Sequence, residues 1–194
     1  MSNSYLIIYL HGFNSSSRSH KAQQLRQLVA HSACGFELQI PTLSHRPLEA
    51  IAQAERLIGA ARNRRVCLVG SSLGGFYASS LAERHGLRAV LINPAVEPWD
   101  LLAGHRGAQT NPATGEQYEL GEECLQQLRA LGTPAIRDPR HYLVLLTRGD
   151  ELLDHRQALV RFAGAQIVLR EGGDHAYSDF AADAADVVAF CQAP

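Results

Sequence analysis

The chain predicts an α/β fold: a mostly parallel sheet of about six strands with helices on both faces. Three observations carry this. Six short runs are almost continuously apolar, as strands covered on both faces should be. Helical periodicity fills the intervals between most of them. The two kinds of segment alternate, which calls for right-handed crossovers in an open sheet.

The first run, Tyr5–Leu10, is six residues long and ends at His11-Gly12. No basic segment precedes it and no small-residue cleavage site follows, so it reads as a strand rather than a signal peptide. A helix is expected over Ser19–His31, with Ser15-Ser16-Ser17 a solvated loop ahead of its N-cap. Glu37–Ile40 is the second strand, Pro41 and Pro47 mark the loop after it, and Leu48–Ala61 is helical. Strand Arg65–Val69, helix Leu73–His85 and strand Arg88–Ile92 follow. Strand Tyr142–Thr147, helix Leu153–Ala163 and strand Gln166–Leu169 lead to a last helix over Tyr177–Phe190. There Phe180, Ala184, Val187, Val188 and Cys191 recur near helical spacing.

One stretch breaks the rhythm. From Pro94 to Pro139 the chain is rich in Gly, Pro and polar residues, with a helix expected at Glu122–Leu131 and no strand signal. It is too long for a plain connection. It reads as an insertion over the strand ends, a small cap on a single domain spanning residues 1–194.

Composition narrows the function. With 18 Lys plus Arg against 19 Asp plus Glu, the net charge is −1, which argues against nucleic acid as the main partner. A chain of 194 residues, 46% apolar, can bury a core without disulfides or metal. No apolar run approaches the roughly 18 residues of a membrane helix. Cys34, Cys67, Cys124 and Cys191 show no CxxC or zinc-like spacing. They read as buried free thiols, which fits a reducing cytoplasm.

Open parallel sheets bind ligands at the carboxyl ends of their strands, near a topological switch point. Catalytic residues should therefore fall just after strands. The strongest local signal does: Gly70-Ser71-Ser72-Leu73-Gly74-Gly75 follows a strand and opens a helix. Gly-x-Ser-x-Gly in that setting is a nucleophile elbow, in which a serine sits on a sharp, strained turn. Side chains two before and two after it would collide. Only Ser72 has glycine at both places, whereas Ser71 has Val69 two before it.

A serine hydroxyl needs a base, and the base an orienting acid, here in the order Ser, Asp or Glu, His. Asp150 follows Tyr142–Thr147, and His175 follows Gln166–Leu169 in Gly172-Gly173-Asp174-His175. Other histidines fit less well. His20, His31, His85 and His155 lie in or beside helices, His45 and His105 in loops away from strand ends, and His141 on the wrong edge of the sheet. For the acid, Glu151 and Asp154 are close by, Asp154 suiting a helix start facing solvent. Glu97 and Asp100, one strand earlier, are further alternatives.

The oxyanion hole needs two backbone N–H groups. One is expected from Leu73, after the nucleophile. The other is expected from Phe13, in the loop after the first strand, with His11 bracing that loop by hydrogen bonds. Trp99, Leu101 and Leu102 either line a substrate pocket or anchor the insertion to the sheet.

These residues resemble a known family, the YqiA-like small bacterial esterases of the α/β-hydrolase superfamily. The resemblance rests on Ile8-Tyr9-Leu10-His11-Gly12-Phe13, on Gly70-Ser71-Ser72-Leu73-Gly74-Gly75 and on Asn93-Pro94-Ala95-Val96. It continues through Asn111-Pro112-x-Thr114-Gly115-x-x-Tyr118, Gly149-Asp150-Glu151-x-x-Asp154 and Gly172-Gly173-Asp174-His175. It implies a compact α/β-hydrolase fold and an intracellular serine esterase with Ser72 as nucleophile, Asp150 as acid and His175 as base. No cofactor or metal is expected. The expected partner is a small acyl ester, or a thioester such as an acyl-CoA held by a basic rim from Arg18, Arg106 and Arg148. A binding module on the same fold, without catalysis, is the alternative from another class.

Overall fold

A computed structural model describes residues 5–31 and 35–193. Cys34 lies outside the described residues. Six strands form one wholly parallel sheet: β1 (Tyr5–Leu10), β2 (Phe36–Gln39), β3 (Arg65–Ser71), β4 (Arg88–Ile92), β7 (Tyr142–Thr147) and β8 (Gln166–Arg170). Their order is β2-β1-β3-β4-β7-β8. The chain steps from β1 outward to β2, then returns past β1 to β3 and continues the other way. The switch point is therefore the gap between the carboxyl ends of β1 and β3.

The sheet is covered on both faces because its strands are apolar on both. Ile7, Tyr9, Cys67, Val69, Val90 and Ile92 pack against α1 (His20–His31) and α7 (Ala184–Gln192). Leu6, Ile8, Leu10, Leu68 and Leu91 pack on the other face. There they meet α2 (Pro47–Ala60), α3 (Leu73–His85), α5 (Glu122–Leu131) and α6 (His155–Arg161). Cys67, Cys124 and Cys191 are buried free thiols, and the Cys191 thiol lies 2.9 Å from Cys67 Sγ. Among the described residues, no helix is long and apolar enough to cross a membrane.

Three expectations change. The insertion does contain strands: β5 (Gly107–Thr110) and β6 (Gln117–Leu120) form an antiparallel hairpin between α4 (Pro98–Ala103) and α5. Gly-Ala-Gln-Thr and Gln-Tyr-Glu-Leu carry no apolar run because the hairpin lies at the surface, with only Leu120 fully buried. The last helix is broken into a short 3₁₀ turn (Phe180–Ala182) and α7. The break falls at Asp183, whose buried carboxylate takes Arg170 Nε at 2.7 Å and the Tyr177 hydroxyl at 2.8 Å. Ser16 is buried rather than solvated, its Oγ accepting the Arg18 N–H.

Candidate active site

Ser72 sits between β3 and α3 at φ 55°, ψ −120°, a conformation that L residues rarely adopt. Backbone crowding imposes its neighbours. A β carbon on Gly70 would lie 2.1 Å from the Gly74 carbonyl oxygen, and one on Gly74 would lie 2.0 Å from that of Leu10. Only glycine fits at either place. The Ser72 N–H is held by the Ile92 carbonyl at 3.0 Å, and its own carbonyl accepts from Ala95 at 3.1 Å.

Two further strand ends converge on the serine. His175 Nε2 lies 2.9 Å from Ser72 Oγ. His175 Nδ1 lies 2.9 and 3.0 Å from the two carboxylate oxygens of Asp150. This arrangement leaves Nδ1 the donor to Asp150 and Nε2 the acceptor toward the serine hydroxyl. The Asp150 side chain is 2% exposed and that of His175 16%. Burial would raise the Asp150 carboxyl, but hydrogen bonds from His175, Leu153 and Leu152 outweigh it and hold the pKa below the usual carboxylate value. The same bonds explain why α6 starts late. Asp150 Oδ1 takes the Leu152 and Leu153 N–H groups, both at 2.9 Å, and Asp154 then caps the helix through the Arg156 N–H. Asp154 thus serves a helix end, and Glu151 accepts the backbone N–H of His175 at 2.9 Å. Glu97 and Asp100 border a separate groove.

The sequence reading missed Asn93. It is 2% exposed at the end of β4, with φ 39°. Its amide donates to Thr147 Oγ1 at 3.1 Å and to the carbonyls of Asp174 at 3.0 Å and His175 at 3.3 Å. Its Oδ1 accepts the Thr147 N–H at 3.0 Å. One side chain thus pins the loop that carries His175. The signal was an Asn-Pro pair at a strand end, visible but without a geometric reading. Lys21 adds a tie from α1 to the Ala176 carbonyl. Burial lowers that ammonium to about 8, against the opposing pull of Asp174 and Asp150.

On the β1 side, Phe13 and Leu73 border one cleft together with Gly12, Asn14, His45, Glu116 and Tyr118. Leu73 is the first residue of α3, so its N–H has no intrahelical acceptor. Among the described residues, no backbone carbonyl takes the Phe13 N–H either. His11 braces this loop as expected. It is buried, accepts the Leu43 N–H on Nε2 at 2.9 Å, and sets Nδ1 2.9 Å from the Gly12 carbonyl. Burial lowers its pKa, so the neutral ring is favoured. His45, set aside in the sequence, lines the same cleft and stacks on Tyr118 at 4.3 Å.

The three apolar candidates separate. Trp99 packs edge-on against Phe76 and touches the position of Gly132, and Leu102 is 4% exposed in the core. Both anchor α4, and neither borders the cleft of Phe13 and Leu73. Leu101 is 39% exposed and, with Val96, Pro98, Leu152 and Leu153, lines the separate groove that Glu97 and Asp100 border.

Known proteins share this fold. The mouse alpha/beta hydrolase domain-containing protein 10 superposes with a TM-score of 0.68 at 15% identity, covering 95% of this chain and 89% of that one. A chain from the structures of LipS and LipT, two metagenome-derived lipolytic enzymes, gives a TM-score of 0.70 at 17% identity, covering 99% and 95%. The architecture is that of the α/β hydrolases. In sequence, a UPF0227 protein of Yersinia enterocolitica is 26% identical over 192 residues, 95% of this chain and 98% of its own. Residues 6–192 match the uncharacterised protein family UPF0227, and the chain belongs to that family, YqiA-like and built on the α/β-hydrolase fold.

Proposed function

We propose that this protein is a serine carboxylesterase that works through an acyl-enzyme on Ser72. The observation that carries the reading is the unbroken line from Asp150 through His175 to Ser72 Oγ, with links of 2.9 Å, at a strained strand-to-helix elbow. Such a line is what an activated serine requires.

Ser72 Oγ attacks the ester carbonyl carbon while His175 Nε2 takes its proton. Asp150 fixes the imidazole tautomer and stabilises the imidazolium. The Phe13 and Leu73 N–H groups receive the oxyanion, each donor worth on the order of 10²–10³ in turnover. His175 then protonates the alcohol oxygen as the carbon–oxygen bond breaks, leaving an acyl ester on Ser72. Water, deprotonated by the same imidazole, attacks that ester, and Ser72 regains its proton as the acid departs. A coenzyme A rim finds less support. Arg106 is paired with Glu122 and Arg148 with Glu171.

The test is a fluorophosphonate and the intact mass of the product. One adduct is expected on the native protein and none on Ser72→Ala. An unlabelled native protein would overturn the reading and favour a binding module.

A further inference from the structure

The motif Asn111-Pro112-x-Thr114-Gly115-x-x-Tyr118 has no part in the chemistry above. The structure brings it against the loop that carries Phe13. Its first five residues build the hairpin turn. Asn111 Oδ1 accepts the Ala113 N–H at 2.8 Å, and the Gly115 N–H, at φ 77°, bonds the Asn111 carbonyl at 2.8 Å. The turn then reaches outward at two points. The Asn111 amide donates to the Ser15 carbonyl at 3.0 Å. The Tyr118 hydroxyl donates to Asn14 Oδ1 at 2.7 Å.

Asn14 is the residue after Phe13, and its φ of 51° lies in the left-handed region. Asn adopts that conformation more readily than most side chains, and a bond to its side chain can hold it there. The Tyr118 bond is placed to do so. Tyr118 is itself steadied by the His45 ring, 4.3 Å away and nearly parallel. His45 Nδ1 in turn meets Glu116 Oε1, two residues along the same strand end, at 2.9 Å. At the other end of the loop, His11 fixes the backbone through Leu43. Between these ties the loop backbone runs close to the nucleophile. A β carbon on Gly12 would lie 3.2 Å from Ser72 Cβ.

We propose that Tyr118, acting through Asn14, is a positioning residue for the oxyanion hole, and that the β5–β6 hairpin is the brace that sets the Phe13 N–H. The inference rests on the acyl-transfer reading. A donor contributes to an oxyanion hole only when preorganised, and displacements near 1 Å cost on the order of 10² in rate. Tyr118 touches no reacting atom. It sets how much of the time the loop holds its donor in place.

The test is Tyr118→Phe, which removes one oxygen and keeps the ring. With a short p-nitrophenyl ester, kcat is expected to fall about five- to tenfold, the weight of one neutral hydrogen bond. KM and the melting temperature should stay put. Affinity for an alkylboronic acid, which forms a tetrahedral adduct on serine, should fall by the same factor as kcat. Asn14→Gly keeps the left-handed backbone but removes the acceptor. It should give the same loss, and the double variant should be no worse than either single one. Wild-type kcat and boronate affinity in Tyr118→Phe would overturn the inference. So would a raised KM at unchanged kcat, which would make Tyr118 a substrate contact, or fully additive losses. Fluorophosphonate labelling separates the two failures. If wild type is not labelled, the esterase reading falls and takes this inference with it. If wild type and Tyr118→Phe are labelled equally fast, only the positioning role falls.

Discussion

The loop that carries His175 and the loop that carries Phe13 reach Ser72 from opposite sides of β3, and they are held by different parts of the molecule. The His175 loop hangs from the sheet itself. Asn93 and Thr147, 2% and 3% exposed, sit at the ends of β4 and β7 and bond its carbonyls directly. The Phe13 loop is held inward by buried His11 and outward by the hairpin, through Tyr118 and the buried Asn111. The difference separates two kinds of fault. Damage on the first side should cost stability and turnover together, because the anchoring groups are buried. Damage at the Tyr118 tie of the second, which is only partly buried, should cost turnover alone.

The largest effect is expected at Asp150. In Asp150→Asn the amide can present its NH₂ to His175 Nδ1 and so favour the tautomer that puts a proton on Nε2, facing Ser72. A loss of about 10⁴ in kcat follows, as in other enzymes with this arrangement. Steady-state hydrolysis of a p-nitrophenyl ester measures it. A loss below about tenfold would move the orienting role elsewhere, and Glu151, bonded to the His175 N–H, is the next carboxylate in reach.

Asn93→Ala sharpens the comparison most directly. It leaves the Thr147 N–H and the His175 carbonyl without their buried partner, while the Asp174 carbonyl keeps Thr147 Oγ1. Each orphaned group costs about 1–3 kcal/mol. A freed His175 loop should also lower kcat by about 10². Thermal unfolding and kinetics on the same sample should therefore fall together, unlike in Tyr118→Phe. Lost activity at unchanged stability would show that the His175 loop is not held from the core.

Much of this could be read in the residues, and the remainder has a common cause. Tyr5–Leu10, Arg88–Ile92 and Tyr142–Thr147 are strands with the bounds their apolar runs suggest, because burial on both faces leaves no room for polar interruption. Ser72, Asp150 and His175 stood out because glycine spacing and strand ends are local signals. The hairpin did not. Its four-residue strands are polar, pair mainly with each other, and matter through bonds to residues about 100 positions away. Asn93 was hidden for the same reason, its partners lying 54 to 82 positions along the chain. The helix break at Asp183 depends on Arg170 and Tyr177, which no helical periodicity reports.

Acid gives the smallest expected effect and the most discriminating one. Burial raises the carboxyls of Asp150, Asp183 and Glu83, but hydrogen bonds and charged partners outweigh it, so all three lie below their ordinary values when folded. A depressed carboxylate contributes stability that is complete above its unfolded pKa, near 4, and is lost as pH falls through the lower folded value. The melting temperature should therefore slip below about pH 6.5, where the unfolded chain protonates His11 and the buried ring resists it, and decline further below about pH 4. Two of these carboxylates serve the His175 side, Asp150 directly and Asp183 through Tyr177, two residues beyond the imidazole. The ties on the Phe13 loop from Tyr118 to Asn14 and from Asn111 to Ser15 join neutral groups and do not titrate in that range. Amide protection should accordingly fall around residues 174–178 below about pH 4, and around residues 11–15 separately, where His11 takes up its proton and Nε2 can no longer accept the Leu43 N–H. Loss of protection in both loops at one pH would mean that they open as one unit, and the distinction between the two sides of the site would fail.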